Sequence, residues 1–317
     1  MALAPFPIQP ELVAITIGYR NNRLIADSVL PRIPVGTESF KYLAFDKAEA
    51  FTVPDTKVGR KGKPNQVEFS ATEQTASTVD HALDDAVPQA DIENAASIKA
   101  NGGTSYDPVG RAVEGVTDLL ALDREVRTAA LVFDANSYAA ANKVTLAGTD
   151  QWSDFANSNP IDDIMAAIDA CIMRPNKMVL GRAVYTKLCQ HPKLTQAFFG
   201  TAAQGGIVPL DFIARLFELE EVLVGEGWVN TAKKGQAASF ARVWGKHCAL
   251  LAIDPLANAG NSRPTFGFSG QFGSRVAGAW DDKDIGMRGG QRVRVGESVK
   301  ELVCANDLGY FIENAVV

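Results

Sequence analysis

The residues best equipped for chemistry in this chain are few and scattered. His81, His191 and His247 are its three histidines and stand in dissimilar segments. A histidine-bearing metal site or a histidine-based triad would have to be gathered from unrelated parts of the sequence. His247 precedes Cys248 on a run that reads as a strand, where neighbours point to opposite faces, so the two do not form a thiolate–imidazole pair. Asp281, Asp282 and Asp284 offer oxygen ligands to a hard cation, but lack the spacing and glycine turn of a calcium loop; a solvated loop accounts for them better. Gly200, Gly205 and Gly206, like Gly286, Gly289 and Gly290, match neither a phosphate-cradling loop nor a dinucleotide fingerprint and read as mobile loops. Cys171, Cys189, Cys248 and Cys304 lie in apolar segments without Cys-x-x-Cys spacing, which favours buried thiols over zinc or a disulfide framework. Asp211 and Glu226 are left as acid or base for a cytosolic enzyme, with no constellation around them. The expectation is a protein that is not an enzyme and needs no cofactor or metal.

Charge narrows the partners. A net charge of −6 and an isoelectric point near 5.2 argue against gripping nucleic acid through phosphate neutralisation. The densest basic cluster is Lys57, Arg60, Lys61 and Lys63, which reads equally as a solvated turn or as a docking contact to an acidic neighbour. Arg288, Arg292 and Arg294 read as one polar face of a strand. The first ten residues hold three prolines and no basic stretch, so no signal peptide is read there. No apolar run reaches the roughly 18 residues of a membrane span. At 317 residues the chain has about two domains' worth of length, at about 150 per domain.

The elements that must position these residues begin with a stretch, 36–88, that alternates like strands but lacks the apolar residues for a core of its own. Residues 41–45 read as one extended run and 67–71 as its return, with the basic cluster at the tip and a polar tail up to residue 103. A two-stranded hairpin is marginal in water, so its stabilising surface is expected on a neighbouring subunit. Asp107 and Pro108 then open a helix as N-cap and first helical residue. An apolar stripe of Val109, Ala112, Val116, Leu119, Val126, Ala130 and Phe133 carries it to about residue 141, with Arg124, Glu125 and Arg127 on the opposite face. Asn159 and Pro160 form a second cap pair before Ile161, Ile164, Ile168 and Ile172. Residues 178–180, 222–224 and 248–253 read as buried strands around one sheet, with helices over 182–190 and 210–217. From residue 264 strand patterns return, around Phe266 and Phe268, Val293 and Val295, and 302–304, interrupted by a loop over 281–290.

The order of these parts resembles the major capsid proteins of tailed bacteriophages, with the fold named after phage Hong Kong 97. The resemblance covers nearly the whole chain. Its sharpest segment is Leu-Ile-Ala-Asp-Ser-Val-Leu-Pro-Arg-Ile-Pro-Val from Leu24, then Phe-Lys-Tyr-Leu-Ala-Phe-Asp-Lys, similar to an N-terminal arm running into an extended loop. Val-Arg-Val-Gly-Glu from Val293 and Asn-Asp-Leu-Gly-Tyr-Phe-Ile from Asn306 are similar to the closing strands, and Val243-Trp244-Gly245-Lys246 to an inner strand.

The resemblance implies an α+β fold with an N-terminal arm (1–35), an extended β-hairpin loop (36–95), a peripheral domain with a long spine helix (96–159) and an axial domain with a mixed sheet (160–254). Return strands of the peripheral domain (255–300) and a closing strand of the axial domain (301–317) complete it. The function implied is a head shell, icosahedral and enclosing double-stranded phage DNA, assembled in the host bacterial cytoplasm as part of the virion; the alternative is an encapsulin-type compartment enclosing a cargo enzyme. A tail-tube subunit fits poorly, because the mixed domain does not suit an all-β tube. Subunit contacts fall on the loop tip at Lys57, Arg60, Lys61 and Lys63. The partners implied are copies of itself as pentamers and hexamers, a portal protein and packaged DNA held without sequence-specific binding, with a decoration protein left open and no membrane. Met1 read as the start, without a charged helical extension before the arm, leads to the expectation of a separate scaffolding protein. Some relatives join loop to neighbour through a lysine–asparagine bond; no acceptor is identified here, and no crosslink is expected.

Overall fold

The computed structural model describes residues 24–45, 51–67, 71–101, 107–200, 205–257 and 263–317. In chain order, helix α1 (Ala26–Val29) and strand β1 (Arg32–Val35) precede a hairpin of β2 (Ser39–Phe45) and β3 (Ala71–Ser77). Strand β4 (Val79–Pro88), helix α2 (Gln89–Ala100), the long helix α3 (Pro108–Val132) and strand β5 (Lys143–Thr145) follow. Then come α4 (Pro160–Ala170), β6 (Lys177–Gly181), α5 (Arg182–Gln190), α6 (Pro192–Phe199), α7 (Leu210–Leu216) and β7 (Glu221–Gly225). A small hairpin, β8 (Trp228–Asn230) and β9 (Phe240–Arg242), leads to β10 (Cys248–Leu251), the long pair β11 (Gly267–Asp282) and β12 (Gly290–Val303), and β13 (Gly309–Glu313).

Two sheets organise these elements. One has the order β1-β11-β12-β4, with β1 parallel to β11 and the other pairs antiparallel. Val113, Val116 and Leu120 of α3 are buried against Val87, Ala277, Ala279, Val293 and Val295 of this sheet. The second sheet has the order β5-β13-β10-β6-β7. Its residues alternate between two cores, as the period of two in a strand requires. Met178, Leu180, Cys248, Leu250 and Ile312 face the cluster built with α4, α5, α6 and α7. Val179, Ala249, Leu251 and Phe311 face a cluster containing Ala129 and Val132 at the end of α3, with Tyr138 and Trp244. One helix therefore packs its first half on one sheet and its last turns on the other. Fully burying a large side chain such as Trp244 or Phe311 stabilises the fold by roughly 2–3 kcal/mol.

Several boundaries differ from the sequence reading. The return strand of the hairpin is β3, paired from Ser39↔Ser77 to Phe45↔Ala71, rather than a strand starting at Val67; residues 68–70 of that reading lie outside the described residues. The span 36–95, read as extended loop, includes β4, which pairs with β12 along its whole length, and the start of α2 in place of a polar tail. The hairpin root is also not without a core: Phe40 is 5 % exposed and packs with Ile33, Val35, Phe268 and Leu302. Strand β5, within the span read as peripheral, pairs in parallel with β13 in the five-stranded sheet. The closing strand is β13, since 301–303 still belong to β12.

Helix α3 starts as expected, with Asp107 accepting a hydrogen bond from Val109 N and Pro108 at the first position. It ends at Val132 rather than near 141, because Asp134 turns to extended backbone and its side chain accepts from Asn136 N, opening a tight turn over Ala135–Ser137. At 1.5 Å per residue its 25 residues span about 37 Å. Its buried face is rotated from the predicted stripe: Leu119 is 56 % exposed, while Arg124 and Glu125 are 2 % and 0 % exposed. At α4 the position holds but the cap chemistry does not, since the Asn159 side chain donates to Asp162 and caps no backbone N–H.

Candidate subunit interfaces

The sequence-derived candidates for chemistry are dispersed by the fold. His191 is fully buried; its Nδ1 accepts from Lys193 N at 3.2 Å, so Nε2 carries the proton and donates to Ser158 Oγ at 3.1 Å. Burial lowers its pKa to about 4. His247 packs on Phe133 and Phe311 and accepts from Asn314 N, whereas Cys248 faces the opposite core, as strand alternation requires. His81 lies 3.2 Å from Arg127 Nη1. Cys171, Cys189 and Cys248 are buried and Cys304 half-buried, all as free thiols; burial raises the pKa of Cys304 to about 12. Asp282 accepts from Asp284 N and pairs with Arg292, so two of the three loop aspartates serve a turn. Arg294 pairs with Asp84, and Arg288 Nη1 lies 3.8 Å from Glu93. Glu226 accepts from Arg182 at 2.7 Å.

The basic tip is brought together. Lys57, Arg60, Lys61 and Lys63 lie within 51–67, a segment exposed at every residue. A turn with Arg60 and Lys61 at its centre is closed by Gly62 N donating to Gly59 O at 2.8 Å. Asp55 ties both sides of the loop: its Oδ1 accepts from Lys57 N at 3.0 Å and its carbonyl from Asn65 Nδ2 at 2.7 Å. None of the four basic side chains forms an ion pair among the described residues. Phe51 and Val53, 65 % and 92 % exposed, add apolar surface beside the charges.

A second constellation, missed by the sequence reading, clamps the segment that precedes the hairpin. The N-cap of α1, Ile25, offers no side-chain acceptor to the helix start. Glu125, 100 positions away, accepts from Ile25 N at 2.9 Å and Ala26 N at 2.8 Å, supplying the capping that the local sequence lacks, and also accepts from Trp244 Nε1. Arg124 grips the other end of α1, donating through Nη2 to Leu30 O and Ser269 Oγ, each at 3.1 Å. Its Nη1 sits 2.7 Å from Asp27 Oδ1 without hydrogen-bond alignment, an ion contact only. Burial and the nearby Arg32 lower the Arg124 pKa to about 10. Burial raises the Glu125 pKa in spite of its three donors. Burial would also raise that of Glu297, but Arg32 at 2.7 Å and Arg275 at 2.8 Å outweigh it and hold the carboxyl at about 2. In sequence, Arg124, Glu125 and Arg127 were placed on the face opposite the apolar stripe, and no local pattern marked the first two as buried.

A short segment before the hairpin clamped to a long helix, a hairpin projecting from a long sheet and a second mixed sheet flanked by helices define the class: an α+β shell-forming fold of the Hong Kong 97 type. The capsid structure of cyanophage P-SCSP1u matches with a TM-score of 0.59 at 9 % identity, covering 99 % of this chain and 92 % of that one. A crystal structure of a phage-related protein from Bordetella bronchiseptica RB50 matches with a TM-score of 0.75 at 26 % identity, covering 98 % and 99 %. Residues 112–231 match the family model of phage major capsid protein E. The major capsid protein of Pseudomonas phage JBD67 is 57 % identical over 316 residues, covering 100 % of this chain and 99 % of that protein. The chain belongs to the phage major capsid proteins. It is a structural component of the virion rather than an enzyme, and it assembles with copies of itself into the shell of a phage head. The encapsulin alternative gives way to this assignment, because the full-length likeness is to a phage capsid protein.

Proposed function

We propose that the subunit closes, as pentamers and hexamers, into an icosahedral head around double-stranded DNA, with the hairpin tip of each copy resting on the next. The observation that carries this reading is the hairpin itself: its root is buried through Phe40, yet every residue from 51 to 67 is exposed. So much exposed, partly apolar surface outside any core needs a partner, and in a shell that partner is a second copy. Lys57, Arg60, Lys61 and Lys63 are the contact residues in this reading. Residues 1–35 act as the arm, the hairpin as the extended loop, the long sheet with α3 as the peripheral domain, and the five-stranded sheet with α4 to α7 as the axial domain meeting its copies around the rotation axes. Assembly takes place in the host cytoplasm on a separate scaffolding protein, with a portal protein at one vertex. A decoration protein on the outside is compatible with this arrangement. No crosslink joins the subunits, so mature particles run as single chains on a denaturing gel. Electron microscopy and sedimentation of the protein, expressed alone and with a scaffolding partner, test the reading. Closed polyhedral shells, or pentamers and hexamers that become shells with scaffold, are the expected result; a monomer or dimer that never assembles overturns it.

A further inference from the structure

Among the described residues, strand β4 lies at the rim of the four-stranded sheet, paired with β12 on one side only. It is ten residues long and exposed along most of its length. A long exposed edge is a template for pairing with another chain, and proteins that keep one usually guard it with charge. Here the charge has one sign. From residue 79 to 94 the sequence carries Asp80, Asp84, Asp85, Asp91 and Glu93 and no lysine or arginine. Asp84 is held by Arg294 and Glu93 lies near Arg288, but Asp80, Asp85 and Asp91 form no ion pair among the described residues. Val79 and Leu83, 50 % and 40 % exposed, set apolar side chains among these carboxylates.

Two such edges laid side by side would oppose aspartate to aspartate, which disfavours pairing between identical rims. The same charge attracts a basic segment, and this chain carries one of matching character: the stretch 53–66 has four basic residues against Asp55 alone, with exposed valines at 53 and 58. Both surfaces are exposed in the single subunit, and every copy in a shell supplies one of each. We infer that the rim formed by β4 and the first turn of α2 is the receptor on a neighbouring copy for the basic hairpin tip. The inference rests on the reading that the tip docks on a second copy, and adds which face receives it and why that face rejects its own kind. Opposite charge sets the register of the contact, and the exposed valines and Leu83 supply the apolar area beneath.

Charge exchange tests it. Asp80→Lys with Asp85→Lys leaves the internal Asp84–Arg294 pair untouched, and Lys57, Arg60, Lys61 and Lys63 changed to Glu reverse the tip. Each set alone is expected to lower the yield of closed shells, scored by electron microscopy and sedimentation, by about tenfold or more, since like charges then face each other. Both sets on one chain are expected to restore shells. A β4 reversal that assembles like the unmodified protein overturns the inference while leaving shell formation itself intact; an unmodified protein that never assembles overturns the underlying docking reading instead. Should the reversed chains fail to fold, Lys61→Cys with Asp85→Cys gives a second readout on assembled particles. Oxidation is expected to produce a ladder of disulfide-linked subunits that neither single variant shows, and a lack of ladder in intact shells counts against the contact.

Discussion

The carboxylate of Glu125 is where the fold concentrates most on one side chain. It is fully buried and takes three donors, two from the backbone of the arm and one from Trp244. Removing an acceptor while its donors stay buried costs more than the bond is worth, because the donors are stranded from water. Glu125→Ala should lower subunit stability by about 3 kcal/mol or more, read from denaturant unfolding; a loss under about 1 kcal/mol, the worth of an ordinary hydrogen bond, would mean water reaches those donors. Acid should act through other residues. His191 is held neutral in the fold, so the stability it contributes is present above the ordinary histidine value of 6.5 and is lost as pH falls toward about 4. Glu297 is held ionised, so its contribution is present above the ordinary glutamate value of 4.5 and is lost as pH falls toward about 2. Burial lowers the His247 pKa too, so the denaturation midpoint of the subunit should fall in two stages on acidification, and His191→Gln should flatten part of the first stage and leave the second.

Among the elements, close approach of backbones leaves little room for change. A Cβ on Gly225, at the end of β7, would sit 2.1 Å from the ring of Trp244. Since Trp244 is fully buried and also donates to Glu125, the ring cannot step aside. Gly225→Ala should destabilise the subunit by roughly 1–3 kcal/mol, visible as a lowered melting temperature. The hairpin behaves in the opposite way. Replacing residues 46–70 by a short turn takes away the exposed segment 51–67 while sparing the Phe40 root, so folding of the subunit should survive and shell formation should not. Loss of folding in that variant, measured by circular dichroism, would place the loop in the subunit's own stability. The sequence made the existence of these elements readable, because caps such as Asp107 with Pro108 and runs such as Met178 to Leu180 act locally. It misplaced the face of α3, because an apolar stripe was sought and the buried face includes Arg124 and Glu125, whose partners are distant in sequence.

For the whole molecule, the surface charge is the property with the widest reach. With a net charge of −6, the subunit should bind double-stranded DNA weakly, with little salt-dependent affinity, which in the proposed head would leave a packaged genome free to move. Nanomolar binding of DNA by the isolated subunit at physiological salt would contradict this. The acidic average hides a basic tip and an acidic β4 rim; with the two meeting between copies as inferred, assembly should be more sensitive to salt than folding is, because exposed pairs are screened and buried ones are not.

Composition, periodicity and local caps by themselves determined a mixed α and β chain with a basic hairpin and a long helix and spelled out no catalytic constellation, while the shell came from the resemblance carried by segments such as the one from Leu24. These properties depend on near neighbours and on averages, which a linear string preserves. Only the tertiary structure decided that β4 belongs to the long sheet as an acidic rim, that β5 joins β13 at the edge of the five-stranded sheet, and that Arg124 and Glu125 clamp the two ends of α1. Each of these joins residues far apart in the chain through backbone pairing or buried charge, and neither leaves a periodic mark in the sequence.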